Sequence, residues 1–194
     1  MLPDLPPPVI HVDPLPYESR LEARPLERIR TVVIHCTETP DLASARAFGE
    51  KVLYPGSGTG NSGHYYIDRD GTTFRYVEPG RVAHHVRGHN ADSIGIELVN
   101  RGRYPHWLDT RHQAMDEPYP AEQVQALIAL LRQLEAELPG LERIAGHEDL
   151  DRSTEPASND PRLQVPRKRD PGPRFPWDQV LAGTRLVRWM PTED

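Results

Sequence analysis

Histidine is the residue type that points most directly to chemistry in this chain. Of its nine histidines, His35 and His147 differ from the others because each stands where an apolar segment gives way to a polar one, as at the edge of a sheet where ligands often gather. The one cysteine, Cys36, can form neither an internal disulfide nor a cysteine-rich cluster. Any bound metal must therefore be held by histidine and carboxylate side chains, and the lack of an HExxH pair excludes that helix-borne motif.

Most histidines in proteins have a simpler interpretation than metal binding. A single histidine is usually a surface or core residue whose ring is satisfied by a hydrogen bond, and we apply that interpretation to His11, His89, His106 and His112. Cys36 is likewise interpreted as a small buried residue and not as a ligand.

One carboxylate stands out because of the strand that carries it. Residues 93–99 alternate, with three apolar side chains on one face and Glu97 on the other, where the small Gly95 leaves space beside it. Apolar surroundings raise the pKa of a carboxyl group, as a general base requires. The alternative is a solvated strand carboxylate or an ion-pair partner.

The remaining patterns predict a mixed α/β domain. The proline-rich residues 1–30 are expected to form an extended arm on the surface, and residues 31–194 to form the catalytic domain. The predicted elements are a buried strand at 31–35, a helical stretch at 41–52, a hairpin at 65–77 around Asp70-Gly71, a strand at 93–99, a helix from 120 to 138 and a closing helix at 175–186, with a short stretch of unassigned type around 144–145. Interleaved strands and helices predict a single α/β domain with a central mixed β-sheet flanked by α-helices.

Composition limits the classes of partner. The chain has 194 residues, 37% of them hydrophobic, which suits one domain with its own core, and its net charge of -6 gives no general attraction for nucleic acid. The sequence has no apolar run of about 18 residues, so no membrane insertion is expected. The N-terminus lacks a secretory signal pattern. We therefore expect a cytoplasmic protein by default, with a periplasmic or secreted location left open.

Four blocks of sequence together resemble a known enzyme family. They are Val33-Ile34-His35 followed by Thr37; Gly63-His64-Tyr65-Tyr66-Ile67-Asp68-Arg69-Asp70-Gly71; Ala83-His84-His85 with Asn90 and Ser93-Ile94-Gly95-Ile96-Glu97-Leu98; and Gly146-His147 with Lys168-Arg169-Asp170-Pro171-Gly172-Pro173, Phe175 and Trp177. In this order, over residues 31–177, the chain resembles the AmpD-type N-acetylmuramoyl-L-alanine amidases, a family related to phage amidase lysozymes and animal peptidoglycan recognition proteins.

The resemblance implies a catalytic zinc ion. In the family's pattern Zn²⁺ is held by two histidines and one acidic residue, here His35, His147 and Asp170, with water in the fourth position. Asp170 stands where some relatives use cysteine. Three protein ligands leave a catalytic zinc site open, whereas a structural site is normally closed by a fourth. The implied substrate is peptidoglycan or a muropeptide, and the implied reaction is hydrolysis of the amide bond between the lactyl group of N-acetylmuramic acid and L-alanine.

The same resemblance suggests roles for the other polar residues of these blocks. Glu97 is expected to act as the general base, and Lys168 to stabilise the developing oxyanion, although a lysine in Arg167-Lys168-Arg169 could simply belong to a solvated basic run. The residues expected to line the groove for sugar and stem peptide are His64, His85 and Asn90, while His84 stands where relatives often carry tryptophan.

The chain departs from the family in the length of one segment. His147 and Asp170 are separated by 22 residues, 148–169, which is longer than in the compact recycling enzymes, and residues 148–167 are expected to form a long loop. Four acidic residues of this segment could replace Asp170 as the ligand: Asp149, Asp151, Glu155 and Asp160. The Pro-Gly-Pro sequence after Asp170 favours that residue.

Other functions remain open on the sequence alone. A peptidoglycan-binding protein of the same fold without turnover is one alternative, and a zinc peptidase that cleaves cell-wall peptides is another. The oligomeric state is left open by the sequence.

Overall fold

A computed structural model describes residues 6–191 of the chain. Its strands are β1 (Ile10–Val12), β2 (Thr31–Cys36), β3 (Tyr65–Ile67), β4 (Thr73–Arg75), β5 (Ser93–Leu98), β6 (Arg143–Gly146), β7 (Thr154–Pro156), β8 (Gln164–Pro166) and β9 (Val187–Arg188). Its α-helices are α1 (Leu42–Gly49), α2 (Ala121–Glu137), α3 (His147–Leu150) and α4 (Trp177–Ala182), and short 3-10 turns lie at Glu18–Arg20, Leu26–Arg28, Asn90–Asp92 and Thr110–His112.

The central sheet is mixed, as the sequence predicts. Its seven strands are ordered β1-β4-β3-β5-β2-β6-β9. Strand β2 lies between β5 and β6 and is parallel to both, whereas β3 and β4 form an antiparallel pair. The predicted α/β class with a mixed sheet and flanking helices is therefore confirmed.

The helix α2 covers one face of the sheet because its apolar side chains recur at helical spacing. Val124, Leu127 and Leu131 pack with Ile34 of β2 and Ile96 of β5, all of them buried. Full burial of such a side chain contributes about 1.5–3 kcal/mol relative to exposure. The alternating residues of the same strands face away from α2, which leaves the opposite face of the sheet available for polar groups.

The Asp70-Gly71 hairpin is confirmed. Gly71 has a φ of +87°, which an L-residue with a side chain rarely adopts. The Asp68 N–H donates to the carbonyl of Thr72 at 2.9 Å, and the Gly71 N–H donates to the carbonyl of Asp68. This turn allows β3 and β4 to pair with Tyr66 opposite Phe74.

The proline-rich segment is more structured than the sequence predicts. Residues 1–5 lie outside the described part of the chain, but Ile10–Val12 pairs with β4 as an edge strand of the main sheet. The predicted extended arm therefore contributes a strand to the main sheet, because prolines are tolerated beside an edge strand that needs a neighbour on only one side. Leu15, Tyr17 and Leu21 are also buried in a second small core. The domain boundary at residue 30 stays a prediction.

The segment between His147 and Asp170 is also not a long loop. It begins with α3 and contains β7 and β8, which pair antiparallel with Glu155 opposite Val165. Each of these strands has only three residues, too few for a clear alternation, which is why sequence patterning misses them. The closing helix is shorter than predicted, at Trp177–Ala182, and is followed by β9 at the sheet edge.

No helix among residues 6–191 is long and apolar enough to cross a membrane.

Candidate metal centre and its groove

Parallel pairing brings three predicted site residues to one edge of the sheet. His35 of β2 lies opposite Glu97 of β5, and Ile34 lies opposite Gly146 of β6. Because opposed residues of a pleated ladder point to the same face, His35 and Glu97 share the face away from α2. His147 follows Gly146 directly, so it starts α3 beside His35. The carboxyl ends of parallel strands are the usual binding edge of open α/β sheets.

Three ligand atoms converge at this edge. His35 Nδ1 lies 3.0 Å from His147 Nδ1 and 3.0 Å from Asp170 Oδ2, and His147 Nδ1 lies 3.1 Å from Asp170 Oδ2. All three residues are buried, with exposures of 2%, 3% and 3%. Among the described residues, this is the one group of His, Cys, Asp and Glu side chains with the spacing of a metal site.

The donor set fits a zinc ion. Tetrahedral ligands at about 2.0–2.2 Å from Zn²⁺ lie about 3.3–3.6 Å from one another, so the observed triangle is within about 0.5 Å of that spacing. Two nitrogens and a carboxylate oxygen this close together can direct three lone pairs at one cation. Asp170 Oδ1 and His147 Nε2 are buried and have no hydrogen-bond partner among residues 6–191. The site therefore has the ligand atoms for a cation, and two of its buried polar atoms are not satisfied by protein groups among residues 6–191.

The ionisation of these ligands suits a metal. Burial, and then the charge of neighbouring His147, lowers the pKa of His35 to about 4. Burial would raise the pKa of Asp170, but His147 and His35 outweigh it and hold that pKa well below its ordinary range. Neutral imidazole and ionised carboxylate are the forms that coordinate metals.

Glu97 lies beside this triangle and opens to the groove. Its side chain is 15% exposed, and its Oε1 lies 4.0 Å from His35 Nδ1. Burial, and then the nearby charge of Asp170, raises the pKa of Glu97 to about 8, with Lys168 acting in the opposite direction. Gly63 makes room for it, since a Cβ there would lie 2.9 Å from Glu97 Cγ. A carboxyl group in this setting suits proton transfer near neutral pH.

Asp170 and Lys168 are placed by the long segment that precedes them. The Glu148 N–H donates to the backbone carbonyl of Asp170 at 2.9 Å, which holds the aspartate against the start of α3. Tyr119 donates its hydroxyl to the carbonyl of Pro171 at 2.7 Å. Lys168 is half-buried and lines the same groove as Glu97. The positive charge of Lys168 is thus available to a substrate in that groove.

The three residues predicted to contact sugar and peptide differ in whether they line the groove. His85 and Asn90 line the groove, but Asn90 Oδ1 already accepts from the backbone N–H groups of His85 and Val86. His64 does not reach the groove, because it is 0% exposed and its Nδ1 accepts from the Gly95 N–H. This geometry does not favour contact between His64 and a substrate, which stays a prediction, and the hydrogen bond joins His64 to β5.

The structure also gives the positions of His84, Cys36 and the four histidines that the sequence did not assign to a site. His84 lines the groove and makes an edge contact with Tyr54 at 5.3 Å. Cys36 is buried, and its thiol donates to the carbonyl of Asn100. The remaining histidines, His11, His89, His106 and His112, lie outside the metal triangle and make ring contacts elsewhere.

The four alternative acidic ligands lie outside the triangle. Asp149 accepts from the Gly146 N–H and pairs with Arg188. Asp151 pairs with Arg167, and Asp160 pairs with Arg162. Glu155 lies on β7. The structure thus brings Asp170, and none of these four, to the two histidines.

A buried ion pair near the centre was not visible in the sequence. Arg103, 1% exposed at its side chain, donates from Nε to Glu38 Oε1 at 2.7 Å and from Nη2 to Glu38 Oε2 at 2.9 Å. The same guanidinium donates to the backbone carbonyls of Pro166 and Arg167, at 2.9 Å and 3.3 Å. It therefore ties the loop after β2 to the residues just before Lys168. No sequence signal reveals a pair whose members are 65 positions apart.

The groove above the centre has a volume of about 650 Å³. Its floor is formed by the metal triangle and Glu97, and its walls carry aromatic and basic side chains: Phe48, Tyr54, Trp107, Arg87, Arg103 and Arg167. Phe48 and Tyr54 are each 44% exposed. Exposed aromatic faces beside hydrogen-bonding groups suit a polar ligand with apolar ring faces.

Comparisons with known proteins show the family to which the chain belongs. The sequence profile of a family described as N-acetylmuramoyl-L-alanine amidase matches residues 25–173. The N-acetylmuramoyl-L-alanine amidase AmiD of Escherichia coli (strain K12) is 35% identical over 101 residues, which is 52% of this chain and 30% of AmiD. The chain thus spans about a third of the length of this curated relative.

Solved structures show a shared fold. A complex of E. coli AmiD with a muramyl peptide has a TM-score of 0.61 at 27% identity, covering 83% of this chain and 58% of AmiD. A selenomethionine derivative of AmpD has a TM-score of 0.61 at 25% identity, covering 90% of this chain and 94% of AmpD. The amidase LysC from Clostridium intestinale URNW has a TM-score of 0.65 at 21% identity, covering 93% and 99%, and it supports the fold alone.

Proposed function

Because the chain belongs to the N-acetylmuramoyl-L-alanine amidase family, we propose that it is a zinc-dependent hydrolase of the amide bond between the lactyl group of N-acetylmuramic acid and L-alanine. The observation that carries the proposal is the buried triangle of His35, His147 and Asp170 ligand atoms at 3.0–3.1 Å, with Glu97 beside it on the groove floor. A water molecule and a substrate carbonyl can reach this floor from the groove.

The proposed metal ligands are His35 Nδ1, His147 Nδ1 and Asp170 Oδ2. A Zn²⁺ ion held there would polarise the substrate carbonyl and make a water molecule more acidic. Glu97 then takes the proton from the attacking water and delivers it to the departing nitrogen of L-alanine. A carboxyl group with a raised pKa suits both transfers, because it exchanges protons readily near pH 7.

Lys168 is proposed to stabilise the oxygen of the scissile carbonyl as negative charge develops on it. Burial is the main cause that lowers the pKa of His35 and raises that of Glu97, and the charge of Lys168 is a smaller cause that lowers both. Lys168 also lines the groove with Glu97, which supports this role. His85 and Asn90 line the groove, and their contact with substrate stays a prediction.

The neighbouring AmiD structure suggests which substrate to assay first. That complex contains anhydro-N-acetylmuramic acid-L-Ala-D-gamma-Glu-L-Lys. We propose that this chain also accepts a muropeptide with a free lactyl-L-alanine amide, and intact peptidoglycan serves as the second substrate to compare.

Digestion followed by mass spectrometry tests the reaction. The purified chain should release the intact stem peptide from the sugar of a muropeptide. Cleavage between two amino acids of the stem would instead identify a peptidase, and binding without any product would identify a non-catalytic peptidoglycan-binding protein. Either result would overturn the proposal.

Chelation tests the metal. Removal of metal should abolish hydrolysis, because the water molecule would lose the cation proposed to activate it. Stoichiometric Zn²⁺ should restore hydrolysis by binding the three ligand atoms again. Hydrolysis that survives complete metal removal would contradict zinc dependence while leaving the family assignment intact.

A further inference from the structure

A chain of hydrogen bonds leads away from the nitrogen of His35 that does not face the metal centre. His35 Nε2 lies 3.0 Å from His85 Nδ1, and His85 Nε2 lies 3.1 Å from Ser93 Oγ. Ser93 Oγ in turn lies 2.6 Å from the backbone carbonyl oxygen of His89. His35 and Ser93 are 2% and 0% exposed, whereas the His85 ring between them is half-buried and borders the groove.

The last acceptor fixes the direction of every bond in this chain. A backbone carbonyl can only accept, so the single hydroxyl proton of Ser93 is donated to His89. Ser93 Oγ must then accept from His85, which places the His85 proton on Nε2. His85 Nδ1 is left bare and accepts from His35 Nε2. These hydrogen bonds therefore favour a neutral His35 with its proton on Nε2 and none on Nδ1, in opposition to the carboxylate of Asp170, whose Oδ2 lies 3.0 Å from Nδ1 and would favour a proton there.

Close packing keeps the His85 ring in this position. A Cβ on Gly95 would lie 2.6 Å from His85 Cγ, so the ring rests directly on the backbone of β5. The rings of His85 and His35 meet edge to face, with centroids 5.1 Å apart and planes at 87°. Since Ser93 and Gly95 belong to the same strand, β5 supports the ring and also supplies its acceptor.

We infer that His85 and Ser93 are positioning residues that set the tautomer of His35 and leave its Nδ1 free to bind the cation. The inference rests on the proposed function only for the identity of that cation. Hydrogen-bonded partners of metal-binding histidines typically change metal affinity about 10- to 100-fold when removed. His147 differs, because its Nε2 has no partner among the described residues.

The tautomer itself is measured on the metal-free protein, with no assay of activity. Long-range ¹H–¹⁵N correlation spectra at neutral pH, assigned with a His35→Gln variant, should show a proton on Nε2 and none on Nδ1 of His35. A spectrum with the proton on Nδ1 would overturn the inference. Because no metal or substrate is present, that result is independent of whether the chain is an amidase.

Metal affinity gives the second measurement. Ser93→Ala removes the acceptor for His85 and should weaken Zn²⁺ binding about 10- to 100-fold in a competition with a chromophoric chelator. Ser93→Thr keeps the hydroxyl and should restore the affinity. Ser62→Ala is the matched control, since Ser62 is also a buried serine but its hydroxyl bonds to Tyr66 and Gly63. Equal Zn²⁺ affinity in Ser93→Ala and the unmodified protein would contradict the inference.

Discussion

The two parts of the metal centre are held in place by different forces. His35, Glu97 and His147 stand at the ends of three parallel strands, where the register of the sheet sets their positions. Lys168 and Asp170 stand at the end of residues 148–169, whose two short strands pair only with each other. The first part relies on backbone hydrogen bonds of the sheet, whereas the second relies on single hydrogen bonds from Glu148 and Tyr119 and on charged side chains.

The clearest of these charged contacts is the Glu38–Arg103 pair. Arg103 is enclosed by a carboxylate and two backbone carbonyls, so its polar groups are almost fully satisfied. The metal triangle is the opposite case, because it keeps buried polar atoms without protein partners. In this centre, the satisfied ion pair holds a segment in place, and the unsatisfied atoms of the triangle remain open to a ligand.

Removal of a metal ligand should give the largest effect. Asp170→Ala deletes one of three ligands, so bound Zn²⁺ should be lost and turnover should fall by at least about 10³-fold. Metal content by mass spectrometry and hydrolysis of a muropeptide check the two results. Asp160→Ala is the control, because that half-buried carboxylate lies in the same segment and bonds only to Arg162 among the described residues. Normal zinc content in Asp170→Ala would remove Asp170 from the ligand set.

Removal of the proposed base should separate chemistry from metal binding. Glu97→Gln keeps the size of the side chain but cannot accept a proton, so Zn²⁺ should stay bound while kcat falls about 10²- to 10⁴-fold. Glu155→Gln in the β7–β8 pair should change neither quantity. If Glu97→Gln retains full turnover in zinc-loaded protein, Glu97 is not the base.

Disruption of the buried ion pair should act on stability first. Arg103→Met leaves Glu38 buried without its partner, which typically costs about 3–5 kcal/mol of unfolding free energy. The double variant Glu38→Met/Arg103→Met should recover part of this loss, because both charges are then gone. Denaturant unfolding of the metal-free protein measures the unfolding free energies of Arg103→Met, of Glu38→Met and of the double variant. A double variant as unstable as the sum of the two single variants would show that the pair does not act as a unit.

The smallest expected effect is an acid dependence in the inserted segment. Burial would raise the pKa of Asp151, but hydrogen bonds from Ser153 and Arg167 outweigh it and lower that pKa to about 2. A carboxylate whose pKa is lowered by folding stabilises the protein above its ordinary pKa, near 4, and loses that contribution as the pH falls towards 2. Thermal unfolding of the metal-free protein should therefore show Asp151→Asn destabilised at pH 6, with the difference shrinking between about pH 4 and pH 2.

The Asp160–Arg162 pair, in which Asp160 is 27% exposed, provides the comparison for that measurement. The Arg162 side chain is 88% exposed, and exposed ion pairs contribute little because water screens them. Asp160→Asn should thus leave the unfolding temperature unchanged at both pH values. If the unfolding temperatures of Asp151→Asn and the unmodified protein differ by the same amount at every pH, the ionisation of Asp151 is not what holds Arg167.

The sequence by itself determined the elements with strong local signals. The β-branched run before His35, the Asp70-Gly71 turn and the helical spacing of α2 each fix local structure through backbone preference and periodicity, and each is present. The motif blocks also predicted the three residues that the structure brings together, because their order and neighbours carried information that no single histidine carries.

Only the tertiary structure decided how those residues are supported. The Glu38–Arg103 pair and the His35–His85 hydrogen bond join positions that are far apart in the sequence. The burial of His64 depends on how its ring packs against the folded sheet. The pairing of β1 with β4 and of β7 with β8 escaped prediction for the same reason. Such contacts depend on distances across the folded sheet, and those distances exist only after the strands have chosen their partners.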